Sequence, residues 1–287
     1  MKKKLSIIIV NYNVTDLLSA CIQSIEKYAA KVDYEIIVID NCSTDTSWKE
    51  LKCIFPKVVF MELEENLGFS KANNIAAKKA QGEYILLLNP DTELESDGLD
   101  SLLEFADGCD NLGCIGVRMH NLAGDFLPES KRSVPNIINS FEKLFLFTSR
   151  KNNRKTYYRN DINENEIACV EVITGAFLLM KRELYLDIGG LDERYFMYGE
   201  DIDLCYTLIC KGFQNYYYGA YSILHYKGQS TVKDLKYLSR FYGAMFLFLE
   251  KYYKSKNRLK YLLLLQGLKL KYFIERTRLK LKKAKEI

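Results

Sequence analysis

The sequence predicts an α/β protein built on a mostly parallel sheet flanked by helices and followed by a basic helical extension. Three observations carry that expectation. Strand and helix signals alternate through the first 90 residues, polar side chains recur where apolar strands end, and positive charge gathers at the C-terminus. The composition agrees with an ordinary globular protein of one or two domains: 287 residues, 48% hydrophobic and 27% charged, with 16 glycines and four prolines, exclude a disordered or collagen-like chain.

The first strand is the apolar run at residues 5–10, ended by Asn11-Tyr12-Asn13. Its Lys-rich start resembles a secretion signal, but the apolar stretch is too short and no small-residue cleavage site follows. Leu17, Leu18, Cys21, Ile22 and Ile25 then recur at helical spacing, with Thr15 or Asp16 placed to cap. Residues 35–39 form a second buried strand, leading through the polar turn 40–45 into a short helix at 47–54. A third strand at 58–63, a loop at 64–69, a helix at 70–80 and a fourth strand at Tyr84–Leu88 complete the alternation. Asn11, Asp40, Asn66 and Asp91 thus fall near strand ends, and in open α/β sheets ligands bind outside the carboxyl ends of the strands.

Beyond residue 90 the pattern loosens. Residues 115–119 and 167–180 read as strands, 120–165 as a polar, partly flexible segment, and 181–188 and 200–211 as helices, each followed by glycine. Eight cysteines without a Cys-x-x-Cys pair and only two histidines argue against zinc and for reduced thiols in a cytosolic core. No apolar run reaches the roughly 18–20 residues of a membrane-spanning helix.

Several constellations suit chemistry. Asp40 follows an apolar strand, where it serves equally as a ligand acceptor or a turn former. Asn66-Leu-Gly68-Phe69 joins an amide to a glycine that permits close backbone approach. Asn89-Pro90-Asp91-Thr92 presents one carboxylate at the sheet edge, suited to a hard divalent cation, Mg²⁺ or Mn²⁺, or to a turn that starts a helix at 95–99. Glu200, Asp201 and Asp203 gather at a helix start, where acids also favour the helix dipole. Glu200 and Asp203 are expected on one face and Asp201 on another, leaving a carboxylate for general-base work. His225, Lys227, Gly228 and Ser230 place an imidazole, an ammonium, a glycine and a hydroxyl within six residues, a grip for a diphosphate.

In order along residues 5–230, these pieces resemble the family 2 glycosyltransferases of the GT-A fold, inverting enzymes that use nucleotide-diphosphate sugars. The resemblance rests on Ser6-Ile-Ile-Ile-Val-Asn-Tyr-Asn13, Val38-Ile-Asp-Asn-Cys-Ser-Thr-Asp45, Glu65-Asn-Leu-Gly-Phe69, Leu88-Asn-Pro-Asp-Thr92 and Gly199-Glu-Asp-Ile-Asp-Leu-Cys205. Asn-Pro-Asp-Thr, with Thr174-Gly-Ala-Phe and Gly189-Gly-Leu-Asp192, is similar to a rhamnosyltransferase-like branch that builds bacterial surface polysaccharides.

The resemblance implies a mixed, mostly parallel sheet and a nucleotide-diphosphate sugar donor. Asp40 contacts the base with Asn11 and Tyr12 lining the same pocket, and Asn66 and Gly68 pack against the nucleotide. It implies a divalent metal at Asp91, with Asn89 replacing the first acid of the usual pair and His225 as a compensating ligand. Asp201 matches the catalytic base, with Glu200 in support and Lys227 and Ser230 at the diphosphate. The acceptor is a saccharide hydroxyl, and a lipid-linked acceptor suits membrane docking.

Residues 251–287 hold 13 lysines and arginines against two acids, so in a chain of net charge +4 the preceding 250 residues are net acidic. Residues 1–230 are therefore read as the catalytic domain. Residues 231–287 are read as a basic amphipathic extension that docks on an anionic membrane surface, or as a helical pair packed on the domain. The expected location is the cytoplasm, peripheral on the inner face of the cell membrane. A sugar-phosphate nucleotidyltransferase is the nearest rival, but its Gly-rich basic loop after the first strand is absent from residues 11–14. Nucleic acid is excluded as a partner by the acidic body and the lack of a recognition motif.

Overall fold

The computed structural model describes residues 3–134, 157–226 and 234–285. A nine-stranded mixed sheet forms its centre. Strands β1 (Leu5–Asn11), β2 (Tyr34–Asp40), β3 (Val59–Glu62) and β4 (Tyr84–Leu88) are parallel in the order β3-β2-β1-β4. Helices α1 (Thr15–Tyr28), α2 (Leu51–Ile54, after a 3₁₀ turn at Ser47–Glu50) and α3 (Phe69–Ala77) make the crossovers. Along β1, Leu5, Ile7 and Ile9 pack on one face with Leu18 and Ile22 of α1, while Ile8 and Val10 pack on the other with Ala72 and Ala76 of α3. Both faces are covered, which is why these strands read as apolar runs rather than alternating ones.

The second half turns mixed. Strand β5 (Thr92–Leu94) and helix α4 (Leu99–Asp107) occupy a stretch expected as a turn and a helix at 95–99. Strand β6 is Leu112–His120. The expected strand at 167–180 is two, β7 (Ile167–Val170) and β8 (Phe177–Lys181), and β8 inserts antiparallel between β4 and β6. After α5 (Arg182–Asp187) and α6 (Glu200–Cys210) comes β9 (Gln214–His225), a strand that sequence reading did not anticipate. It pairs with β5, β6 and β7. Residues 135–156, about half of the expected flexible segment, lie outside the described residues. Its described flanks are ordered by the Arg132–Val172 bridge and by buried Lys131, whose Nζ donates to the carbonyls of Arg159 and Ile162. All eight cysteines are unpaired.

The extension is a helical pair, α7 (Leu235–Tyr253) and α8 (Arg258–Lys285). Helix α7 packs on α6: Lys251 Nζ bridges Asp192 (2.9 Å) and Asp203 (2.7 Å), and the Tyr206 ring meets those of Phe248 and Tyr252. Helix α8 packs on α7 through Leu268 and Tyr272 against Leu238 and Tyr242. At least its first helix is thus part of the folded body. Among the described residues no helix is long and apolar enough to cross a membrane.

Candidate active site

A cavity of about 310 Å³ opens off the carboxyl ends of the parallel strands and is lined by Tyr12, Asn66, Gly68, Asp91, Glu200, Asp201 and His225. Seven side chains or backbones singled out from the sequence therefore meet in one place. Asn11 and Asp40 sit side by side at the ends of β1 and β2, in register and buried. Asp40 accepts from Asn11 Nδ2 (2.7 Å), Ser43 N (2.9 Å) and Ser43 Oγ (2.6 Å), so its carboxylate ties down the turn that follows it. The turn presents Asn41, which donates to Asn66 Oδ1 (3.1 Å) and accepts from Leu67 N (2.9 Å). Gly68 is required where it stands: at φ +83 a Cβ would collide with the Phe196 carbonyl, to which Phe69 N donates at 2.7 Å.

Asp91 and His225 meet because β5 pairs antiparallel with the end of β9, in the register Thr92 to His225. His225 Nε2 lies 3.4 Å from Asp91 Oδ1, and both residues are largely buried. His225 Nδ1 is buried without a hydrogen-bond partner. A carboxylate oxygen and an imidazole nitrogen this close, at the cavity wall, fit a divalent cation whose other positions are filled by phosphate oxygens and water. Among the described residues no group of three His, Cys, Asp or Glu forms, so these residues offer two ligands, Asp91 and His225. Asn89 also lines the cavity; its backbone N–H donates to the Ala176 carbonyl at 3.0 Å.

The acids at the start of α6 are arranged differently from expectation. Tyr198 (φ +73) and Gly199 (φ +82) make two successive left-handed residues, and the helix they launch points both Glu200 and Asp201 at the cavity. Asp203, expected to share a face with Glu200, turns away to Lys251 and the Tyr195 hydroxyl (3.3 Å). Asp201 Oδ2 accepts from Arg132 Nη2 (2.5 Å) and Gly175 N (3.3 Å), and Oδ1 accepts from Ile202 N (2.8 Å). Oδ1 therefore keeps a lone pair. Burial opposes the Arg132 charge, but the Asp201 carboxylate outweighs it and raises the guanidinium above its ordinary value. Burial, reinforced by the charge of Asp201, pushes Glu200 up to about 8, and its Oε2 has no partner.

Two residues escaped the sequence reading. Arg132 lies in the segment expected to be irregular, and no motif marks it. Arg240, on α7, lines the cavity with its guanidinium 4.0 Å from the centre of the Phe196 ring. Lys227 and Ser230 lie outside the described residues. A second cavity, of about 400 Å³, lies between the sheet-bearing body and the helical pair and shares Tyr198 and Asp201 with the first.

Solved structures share this architecture at low identity. GalNAc-T7 with UDP, GalNAc and Mn²⁺ matches at a TM-score of 0.58 and 17% identity, over 78% of this chain and 44% of that one. S. aureus TarS (residues 1–349) in complex with UDP matches at 0.54 and 20%, over 86% and 64%. The fold is that of the GT-A glycosyltransferases. Within that class, the glycosyl transferase family 2 model matches residues 6–188, and the chain belongs to this family. It is a glycosyltransferase, which displaces the nucleotidyltransferase alternative. Among its relatives are the N-acetylglucosaminyl-diphospho-decaprenol L-rhamnosyltransferase of Mycobacterium tuberculosis (strain H37Rv), 28% identical over 87% of this chain and 85% of the relative. Rhamnosyltransferase WbbL of Escherichia coli (strain K12) is 26% identical over 77% and 82%.

Proposed function

We propose that this enzyme transfers rhamnose or another hexose, with inversion, from a nucleotide-diphosphate sugar to a hydroxyl of a lipid-linked saccharide during bacterial surface-polysaccharide synthesis. The observation that carries the reading is the position of Asp201 in the wall shared by two cavities. One holds the features suited to a donor, and the other faces the same carboxylate from a different side. The names of the two rhamnosyltransferase relatives, one of which specifies a diphospho-decaprenol acceptor, support the choice of sugar and acceptor.

In this reading Asp201 Oδ1 takes the proton of the acceptor hydroxyl as that oxygen attacks the anomeric carbon from the face opposite the diphosphate. Arg132 and the Gly175 N–H hold the other oxygen and so fix the carboxylate's direction. Glu200 is neutral below pH of about 8. It is therefore a hydrogen-bond donor beside the base rather than the base itself, which favours Asp201 for that role. Asp91 and His225 would hold the divalent cation, which when bound supplies positive charge for the departing diphosphate. Arg240 supplies charge from the chain itself, and it is the one lysine or arginine among the described residues lining the donor cavity. Tyr12, Asn66 and Gly68 flank the nucleotide, with Asn11 and Asp40 holding the turn beneath them.

Helix α8 supports docking on an anionic membrane surface. Leu259, Leu262, Leu263, Leu270, Phe273, Ile274 and Leu281 are all exposed. At about 100° per residue they fall within a stripe roughly 120° wide, flanked by lysines and arginines. The decisive experiment for the enzyme is Asp201→Asn, assayed against a panel of nucleotide-sugars with nucleotide binding followed in parallel. Transfer should fall by about 10²–10⁴ while UDP or dTDP still binds; a variant that transfers at the wild-type rate would remove Asp201 from its role.

A further inference from the structure

We infer that the second cavity is the acceptor site, and that its wall built by the helical pair binds an apolar chain attached to the acceptor sugar. The inference deepens the proposed function and rests on it for the identity of the acceptor. The two walls differ in chemistry. The catalytic domain contributes Arg132, Tyr157, Tyr158, Tyr198 and Asp201, polar and aromatic groups of the kind that contact sugar rings. The extension contributes an apolar patch, Met245, Phe248, Leu249, Leu264 and Leu268, beside the more polar Tyr242, Tyr253, Lys271 and Glu275. A ligand spanning this cavity would be polar where it meets Asp201 and hydrocarbon where it meets that patch.

Its size is the second point. Protein interiors are close-packed and rarely retain voids larger than a water molecule, whereas ligand sites run from about 300 to 1,000 Å³. A space of about 400 Å³ left beside a catalytic carboxylate is in that range. Its location is the third. Leu264, Leu268, Lys271 and Glu275 line the cavity at spacings of four, three and four residues, one face of α8. The exposed apolar stripe runs along the other side of the same helix, about 10 Å away. A chain leaving the cavity around α8 therefore emerges beside the surface best suited to a bilayer, where a lipid-linked acceptor would be anchored.

The test uses the full-length protein and farnesyl phosphate as the probe, with isopentenyl phosphate as the short-chain control, by isothermal titration calorimetry. Farnesyl phosphate should bind saturably at one site, with a negative heat-capacity change from apolar burial, and isopentenyl phosphate far more weakly. Met245→Trp and Leu264→Trp fill the cavity from opposite helices and should each weaken farnesyl phosphate at least about tenfold, since several buried methylenes are displaced. UDP binding in the same samples reports that the fold is intact. Leu259→Asp, on the exposed stripe, should leave farnesyl phosphate binding unchanged. The inference is overturned if binding is not saturable, if neither filling variant weakens it, or if Leu259→Asp weakens it as much as they do. Saturable binding that the fillers abolish, in an enzyme whose Asp201→Asn variant still transfers sugar, would sink the catalytic assignment and leave the cavity's ligand in place.

Discussion

Replacing Arg240 by glutamine should separate the two phosphates of the donor from the rest of the nucleotide. The cavity proposed for the donor is otherwise lined by the carboxylates of Asp91 and Asp201 and the protonated Glu200, with no other lysine or arginine among the described residues. Arg240 is half-buried, no carboxylate among the described residues pairs with it, and its guanidinium carbon lies 4.0 Å from the centre of the Phe196 ring. This cation–π contact is worth about 0.5–1 kcal/mol in itself. A hydrogen bond to a charged group contributes about 1.5–3 kcal/mol, so its loss should raise Kd by about 10–150-fold. Partial solvent exposure places the expected value in the lower half of that range. Glutamine keeps the aliphatic stem and the helix, which limits the change to charge and fork geometry. The assay is direct titration of UDP and dTDP against UMP and dTMP, at low and high salt. The diphosphates should weaken by at least about tenfold and the monophosphates by less than about threefold, and added salt should narrow the gap. Equal losses for mono- and diphosphates, or no loss at all, would show that Arg240 only braces Phe196 and would refute the charge argument.

Metal dependence has its own signature: EDTA should abolish transfer by the wild type, and Asp91→Asn and His225→Ala should each raise the concentration of Mn²⁺ or Mg²⁺ needed for half-maximal rate; transfer indifferent to chelator removes both residues from that role. For Glu200, the folded chain holds a proton up to about pH 8, whereas the unfolded chain releases it near the ordinary 4.5. Stability must therefore fall as pH rises through that window. Glu200→Gln cannot titrate, so its Tm should match the wild type near pH 4 and exceed it increasingly towards pH 9; a pH-independent difference would contradict the raised value. On α8, replacing Leu263 and Phe273 with aspartate should abolish flotation with anionic liposomes and leave UDP binding unchanged. Undiminished flotation would exclude the stripe as the docking face.

What the sequence made legible follows from burial. Strands β1, β2 and β4 are covered on both faces, so they appear as apolar runs, and the polar residues that end them mark the cavity rim. The strand β9 was hidden for the opposite reason. Its inward positions include Asn215, Tyr217 and Tyr221, polar or amphipathic residues whose alternation with the exposed Gln214 and Ala220 is a period-two signal without an apolar one. Missing β9 meant missing why His225 lies beside Asp91, although both residues had been singled out. The placement of Glu200 and Asp203 at the start of α6 was misjudged because helical spacing describes a regular helix. The left-handed pair Tyr198 and Gly199 instead turns positions 200 and 201 into the cavity, and an ion pair from α7 claims Asp203.

That ion pair also changes the meaning of the charge asymmetry. Counted by sequence, the basic residues from 251 onward formed a tail distinct from an acidic body. In the fold, Lys251 belongs to the body. Burial opposes its charge, but Asp203 and Asp192 more than compensate and raise it above its ordinary value. A charge so held is not available to a membrane. Arg240 likewise sits beyond the boundary drawn at residue 230 yet lines the donor cavity. The basic residues beyond Lys251 are concentrated on α8, whose sequence carries ten lysines and arginines and one acid, Glu275. Helix α7 thus packs on the body and lines both cavities, and α8 faces the second cavity on one side and solvent on the other. Cutting the chain at residue 230 would remove a wall of both cavities, whereas cutting after α7 would remove the exposed stripe and only one wall of the second. A cut that keeps the α7 wall of both cavities therefore falls between the two helices, about two dozen residues beyond the boundary drawn at residue 230.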